Sequence, residues 1–131
     1  MKKISKICLS CVIGIMAMSS VAYASPINYS FRLPATGSRS TDNAYKATNN
    51  DVATNNVSSL GWEGSKIVCW VCDNDGGKIS SNASFSKAKN VNIYMDKSLA
   101  KENKGSYVFM KLKTSAGTMN KCDISGEFNP N

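Results

Sequence analysis

Cys69-Trp70-Val71-Cys72 has the spacing of a dithiol redox centre, and Asp73-Asn74-Asp75-Gly76 directly after it opens like a calcium loop. Each chemistry makes a further demand that the neighbouring residues do not meet. A reactive C-x-x-C thiol sits at a helix N-terminus, where the backbone dipole stabilises the thiolate. Here Ile67 to Cys72 is apolar and rich in β-formers, which predicts a strand ending in a turn. On a strand, residues 69 and 72 point to opposite faces, which resists a bond between them. A calcium loop needs a third ligand before its glycine and a bidentate glutamate at its end. Gly76 comes too early and no Glu stands in register, so Asp73 to Gly77 reads as a tight turn. Cys122 shares a strand face with Ile124, which predicts that it looks inward. A disulfide from Cys122 to Cys69 or to Cys72 is expected under oxidising conditions; three reduced, buried thiols are the alternative.

Histidine is absent from all 131 residues. That removes Ser-His-Asp and Cys-His nucleophile activation, which need an imidazole to carry the proton, and it removes His-containing zinc sites. No metal, cofactor or enzymatic activity is therefore expected. A hydrolase reading would have to rest on a carboxylate pair such as Asp73 with Asp75, or on Glu63 with a partner.

A binding chemistry is easier to place. Tyr107, Phe109, Lys111 and Lys113 alternate with Val108, Met110 and Leu112, which on a strand gives an aromatic and basic stripe opposite an apolar one. Such a stripe can stack on rings while pairing with anionic groups. From Lys78 onward nine lysines stand against four acids, so the basicity of the chain, +7 overall, is concentrated in its second half. The expected partner is an anionic envelope polymer or lipid.

The start of the chain predicts where that partner is met. Met1 to Lys6 is basic, Ile7 to Met18 is apolar, and Ala22-Tyr23-Ala24 is small-x-small. This is the order of a secretory signal peptide cut between Ala24 and Ser25. The apolar run is shorter than the roughly 20 residues that span a bilayer. The expected product is a secreted, extracellular protein of residues 25–131, for which nucleic acid is not a natural partner. Cys8 and Cys11 come too early in the apolar run for a lipoprotein cysteine. Leu33-Pro34-Ala35-Thr36-Gly37 matches a sortase signal, but cutting there would discard nearly the whole domain. Pro34 and Gly37 instead read as the end of a strand. Three Asn-x-Ser sequons, at Asn28, Asn56 and Asn82, are what chance gives in an Asn- and Ser-rich chain.

The elements that must position these residues are short strands between Gly, Asn, Asp and Ser clusters. Ile27, Tyr29, Phe31 and Leu33 alternate with Asn28, Ser30 and Arg32. Gly37 to Asn56 reads as a polar surface loop. Strands are predicted over 57–62, 66–72, 78–85, 90–95, 107–114 and 119–128, with turns at Glu63-Gly64-Ser65 and Ser115-Ala116-Gly117. One or two helical turns fit Asp96 to Asn103, stopped by Gly105. The predicted fold is all-β: one small antiparallel sandwich of six to eight strands.

Several stretches also carry a resemblance. They are Asn28-Tyr29-Ser30-Phe31, Gly37-Ser38-Arg39 leading to Tyr45-Lys46-Ala47-Thr48-Asn49-Asn50, the Ile67 to Val71 strand, and the ending Ser125-Gly126-Glu127-Phe128-Asn129-Pro130. Together they resemble a family of small exported proteins of Gram-positive bacteria catalogued as a domain of unknown function, and more distantly the lactococcin-type β-sandwich bacteriocins. Phe128 stands where that pattern has Trp, and the cysteines are not part of it. The resemblance implies secretion and an all-β fold and brings no catalytic residues. The expected function is non-enzymatic: a monomeric, bacteriocin-like or envelope-binding protein, or alternatively a surface-associated structural or protein-interaction module of the producing cell.

Overall fold

A computed structural model describes residues 25–61, 66–115 and 121–131. The leader with its cleavage residue Ala24, the Glu63 turn and Ala116-Gly117 lie outside the described residues. Among those described, nine strands form two antiparallel sheets.

The first sheet has four strands in the order β1-β9-β4-β7. They are β1 (Ile27–Leu33), β4 (Val52–Leu60), β7 (Asn90–Tyr94) and β9 (Cys122–Asn129). The second sheet has β2 (Ser38–Ser40), β8 (Ser106–Thr114), β5 (Ile67–Asp73) and β6 (Ala83–Phe85) in that order, and β3 (Ala44–Lys46) also pairs with β8. One short helix, α1 (Lys97–Glu102), links β7 to β8. Asp96 caps it by accepting from the backbone N–H groups of Ser98 and Leu99, which supplies partners for two donors that a helix start leaves open. Gly105, at φ 82°, lets the chain leave the helix region through a conformation that L side chains disfavour.

Alternation builds the core. Leu33, Ile93, Ile124 and Phe128 from the first sheet meet Ile67, Val71, Val108, Met110 and Leu112 from the second, and all are buried. Each contributes about 1.5–3 kcal/mol by leaving water. Apart from Val68 and Cys72 on β5, their outward neighbours on the same strands are polar, aromatic or basic.

The polar stretch Gly37 to Asn56 is not a loop. It contains β2, β3 and the first half of β4. The reason lies in β4, where Val52, Thr54 and Asn56 alternate with the buried Ala53, Asn55 and Val57. Two of those inward residues are small or polar, so the hydrophobic alternation is weak although the pleat is regular. The strand expected over 78–85 shrinks to Ala83–Phe85, with Lys78 and Ser80 held by isolated bridges. Asp73 to Gly77 is the turn expected: Asp73 Oδ1 accepts from the N–H groups of Asp75 and Gly77, and Gly76 has φ 92°.

Asn55 is fully buried because a polar chain crosses the core to meet it. The Tyr29 hydroxyl donates to Asn55 Oδ1 at 2.7 Å, and Asn55 Nδ2 lies 3.8 Å from Cys69 Sγ on the opposite sheet. Burial pushes the Tyr29 hydroxyl well above its ordinary range and the Cys69 thiol up to about 12. Both groups therefore stay protonated while the same groups in an unfolded chain ionise. Stability is expected to hold up to the usual thiol value of 9.0 and to fall as pH rises from there toward about 12. Urea midpoints measured across that window check this, and Cys69→Ala should flatten part of the slope. Tyr29→Phe leaves Asn55 Oδ1 without its donor, so a loss of about 1–3 kcal/mol is expected in the same unfolding measurement.

Lys46 is buried as completely as Asn55. Its Nζ donates to the main-chain oxygens of Asn50, at 2.6 Å, and Asn131, at 3.3 Å. Desolvation draws its pKa down, and the nearby Asp51 carboxylate partly offsets that. The ammonium thus ties β3 to the segment that follows β9.

Candidate aromatic and cationic binding face

The functional candidates gather on the outer face of the second sheet. Along β8 the buried Val108, Met110 and Leu112 alternate with Tyr107, Phe109, Lys111 and Lys113, which turn outward. Directly opposed residues of antiparallel strands project to the same side. Register with β5 therefore places Val68 beside Lys113, Trp70 beside Lys111 and Cys72 beside Phe109. On the other flank, Ser38 and Ser40 oppose Lys113 and Lys111, and Tyr45 opposes Tyr107. One strand of the expected stripe becomes a face three strands across, with β2 and β3 on one flank of β8 and β5 on the other.

Trp70 is its centre. The Nζ of Lys78 lies 5.5 Å from the indole centroid and that of Lys113 5.9 Å, within the range of cation–π attraction. Lys78 reaches this place because it bridges Cys72 just after the Asp73 turn, and its ammonium also donates to Asn82 Oδ1 at 2.7 Å. At one end of the face Tyr45 and Tyr107 meet edge to face, with centroids 5.6 Å apart and Tyr107 53% exposed. No carboxylate stands among these opposed outward residues of β2, β5 and β8. The Arg32–Asp123 ion pair, at 2.7 Å, belongs to the outer face of the other sheet and does not neutralise these lysines. The result is an outer sheet surface of aromatic rings and ammonium groups.

The cysteines pack within this architecture. Cys69 faces the core and Cys72 the outer face, opposite sides of one strand. Cys69, Cys72 and Cys122 are all buried free thiols, so the expected disulfide from Cys122 to Cys69 or Cys72 is not formed. Cys69 Sγ instead meets the Asn55 amide. Cys122, in the other sheet, opposes Leu33 at the end of β1 and points its thiol to the Asp123 carbonyl, 3.6 Å away. Cys72 lies on the side of β5 away from the core. Burial pushes its thiol up by more than the nearby Lys111 draws it down, and the side chain packs as a small apolar group beneath the face. Labelling with a thiol reagent at neutral pH should leave these three cysteines unmodified until the protein is denatured; peptide mapping by mass spectrometry reads this directly.

Sequence reasoning found the β8 stripe and missed Trp70, Lys78 and Tyr45. The pattern Val68, Trp70, Cys72 did mark a second outward row, but the register that sets it beside the stripe is a property of strand pairing. Compared with known proteins, the chain matches no family model and no curated sequence.

Proposed function

We propose that this is a secreted, non-enzymatic binding protein that holds an anionic polymer of the cell envelope across the outer face of its second sheet. The observation that supports the reading most is Trp70 flanked by Lys78 and Lys113 on a face whose opposed outward residues include no carboxylate. A polymer of phosphate or carboxylate groups meets the ammonium groups of Lys78, Lys111 and Lys113, while its carbon skeleton lies on Trp70, Phe109 and Tyr107. Export supports it from the sequence side, through the basic, apolar and small-residue order of the first 24 residues. Titrating a glycerol-phosphate polymer against the protein by calorimetry tests it. Saturable binding that weakens with salt, with no binding of uncharged dextran, is the expected result. Equal binding of both polymers, or binding of neither at low ionic strength, would overturn it.

A further inference from the structure

A second site lies where the two sheets meet beside α1. Lys78 to Ser81 on one side and Tyr94 to Asp96 on the other enclose an open cleft of about 410 Å³, within the range of about 300–1,000 Å³ typical of small-molecule sites. Its walls are tied together before any ligand arrives. The Ser81 N–H and hydroxyl both donate to the Tyr94 carbonyl, at 3.0 and 3.1 Å, and the Asp96 N–H donates to the Ile79 carbonyl at 3.1 Å. Buried Ile79 and Met95 line it together with exposed Lys78, Ser81 and Asp96. Tyr94 is 59% exposed, and among the described residues no hydrogen bond or ring contact engages its side chain.

We infer that this cleft binds a neutral sugar ring of a polysaccharide, stacked on Tyr94 and hydrogen-bonded through Asp96 and Lys78. Each other class of ligand conflicts with one of the lining groups. A free anion would meet the Asp96 carboxylate, whose Oδ1 alone takes the three capping bonds from the N–H and hydroxyl of Ser98 and the N–H of Leu99. That leaves Oδ2 as a charged acceptor. A purely apolar ligand would strand that carboxylate and the Lys78 ammonium. A polyol matches both signs: its hydroxyls donate to Asp96 and accept from Lys78, and its C–H face covers the exposed ring. Among the described residues no group of three metal-ligating side chains gathers, so a metal-bridged sugar site is not part of the inference. Lys78 also stands beside Trp70, so the cleft opens at the edge of the cationic face. The sugar site shares Lys78 with that face, but Tyr94 and Asp96 belong to the cleft alone, and the inference does not depend on the anionic-polymer reading.

Amide chemical shifts of the full-length protein, followed while cellotriose or tri-N-acetylchitotriose is added, test the inference. Saturating shifts at Ser81, Tyr94 and Asp96 that salt does not weaken are expected with at least one of these sugars. Tyr94→Ala should weaken binding about five- to tenfold, the scale of one lost aromatic contact. Lys111→Glu with Lys113→Glu should leave the sugar response intact, because those lysines lie outside the cleft. No saturating shift at these amides with either sugar, unchanged affinity in Tyr94→Ala, or loss of sugar binding in the Lys111/Lys113 variant would each overturn it. Failure of glycerol-phosphate binding alone leaves the sugar response in place and counts only against the cationic face.

Discussion

Changing Lys111 and Lys113 together to Glu is expected to lower affinity for a glycerol-phosphate polymer by about 30- to 100-fold at low salt. Each exposed ion pair contributes only about 0.2–1 kcal/mol. Reversal, however, also turns each attraction into a repulsion at positions flanking Trp70 and Val68. Two such sites give about 2–3 kcal/mol, which is the stated fold-change. The fold should survive, because neither side chain belongs to the core and surface substitutions usually stay within about 0.5 kcal/mol each. Lys97→Glu with Lys101→Glu makes the same change in net charge on α1, away from the face. That pair is expected to cost much less affinity, so parallel calorimetric titrations separate a local surface from a general attraction of basic protein to anionic polymer. Equal losses in the two variants would mean that net charge, not the Trp70 face, drives binding.

Gly126→Ala is expected to destabilise the protein by about 3 kcal/mol or more, among the largest effects of any single added methyl. The register sets Gly126 between Tyr29 on β1 and Val57 on β4. A Cβ there would stand 2.6 Å from the Asn56 carbonyl oxygen and 2.8 Å from the Tyr29 hydroxyl. The first is backbone and the second is the ring that must cross β9 to reach Asn55, so neither yields easily. For a domain of this size the loss corresponds to a fall in Tm of roughly 10–20 °C. Thermal unfolding followed by circular dichroism reads it. A fall of only a few degrees would mean that the tyrosine can leave Asn55 cheaply, and that the buried chain from Tyr29 through Asn55 to Cys69 adds little to stability. Gly61, whose Cβ would come 3.1 Å from Asp123 N, makes a milder comparison.

What the sequence makes legible follows from how strongly each strand contrasts its two faces. β1 alternates cleanly, β5 is nearly all apolar and β8 sets large apolar residues against lysines and aromatics, so all three can be read from residue order alone. β2 and β3 have three residues each, Ser38–Ser40 and Ala44–Lys46, too short for any period to emerge. The second half of β4, residues 57–60, falls in the strand expected over 57–62, whereas its first half hides for a chemical reason: Asn55 lies on its buried side and its burial is made tolerable by Tyr29 and Cys69. The candidate site shows the same division. Tyr107, Phe109, Lys111 and Lys113 share one strand, so alternation reveals them together. Trp70, Lys78 and Tyr45 join them only through register and a turn, which no local pattern encodes. For the thiols, alternation reveals that residues 69 and 72 face opposite ways and that Cys122 looks inward, but whether a partner stands across the sandwich depends on how the two sheets are set over each other.

Co-sedimentation of the protein with bacterial envelopes, at low and at high salt, tests the central claim most directly. The aromatic and cationic face predicts pelleting at low salt that high salt abolishes, since exposed charges separated by more than a Debye length of about 10 Å at 0.1 M are screened. Pelleting that salt does not change, or none at either salt, would contradict an electrostatic envelope-binding role for this face.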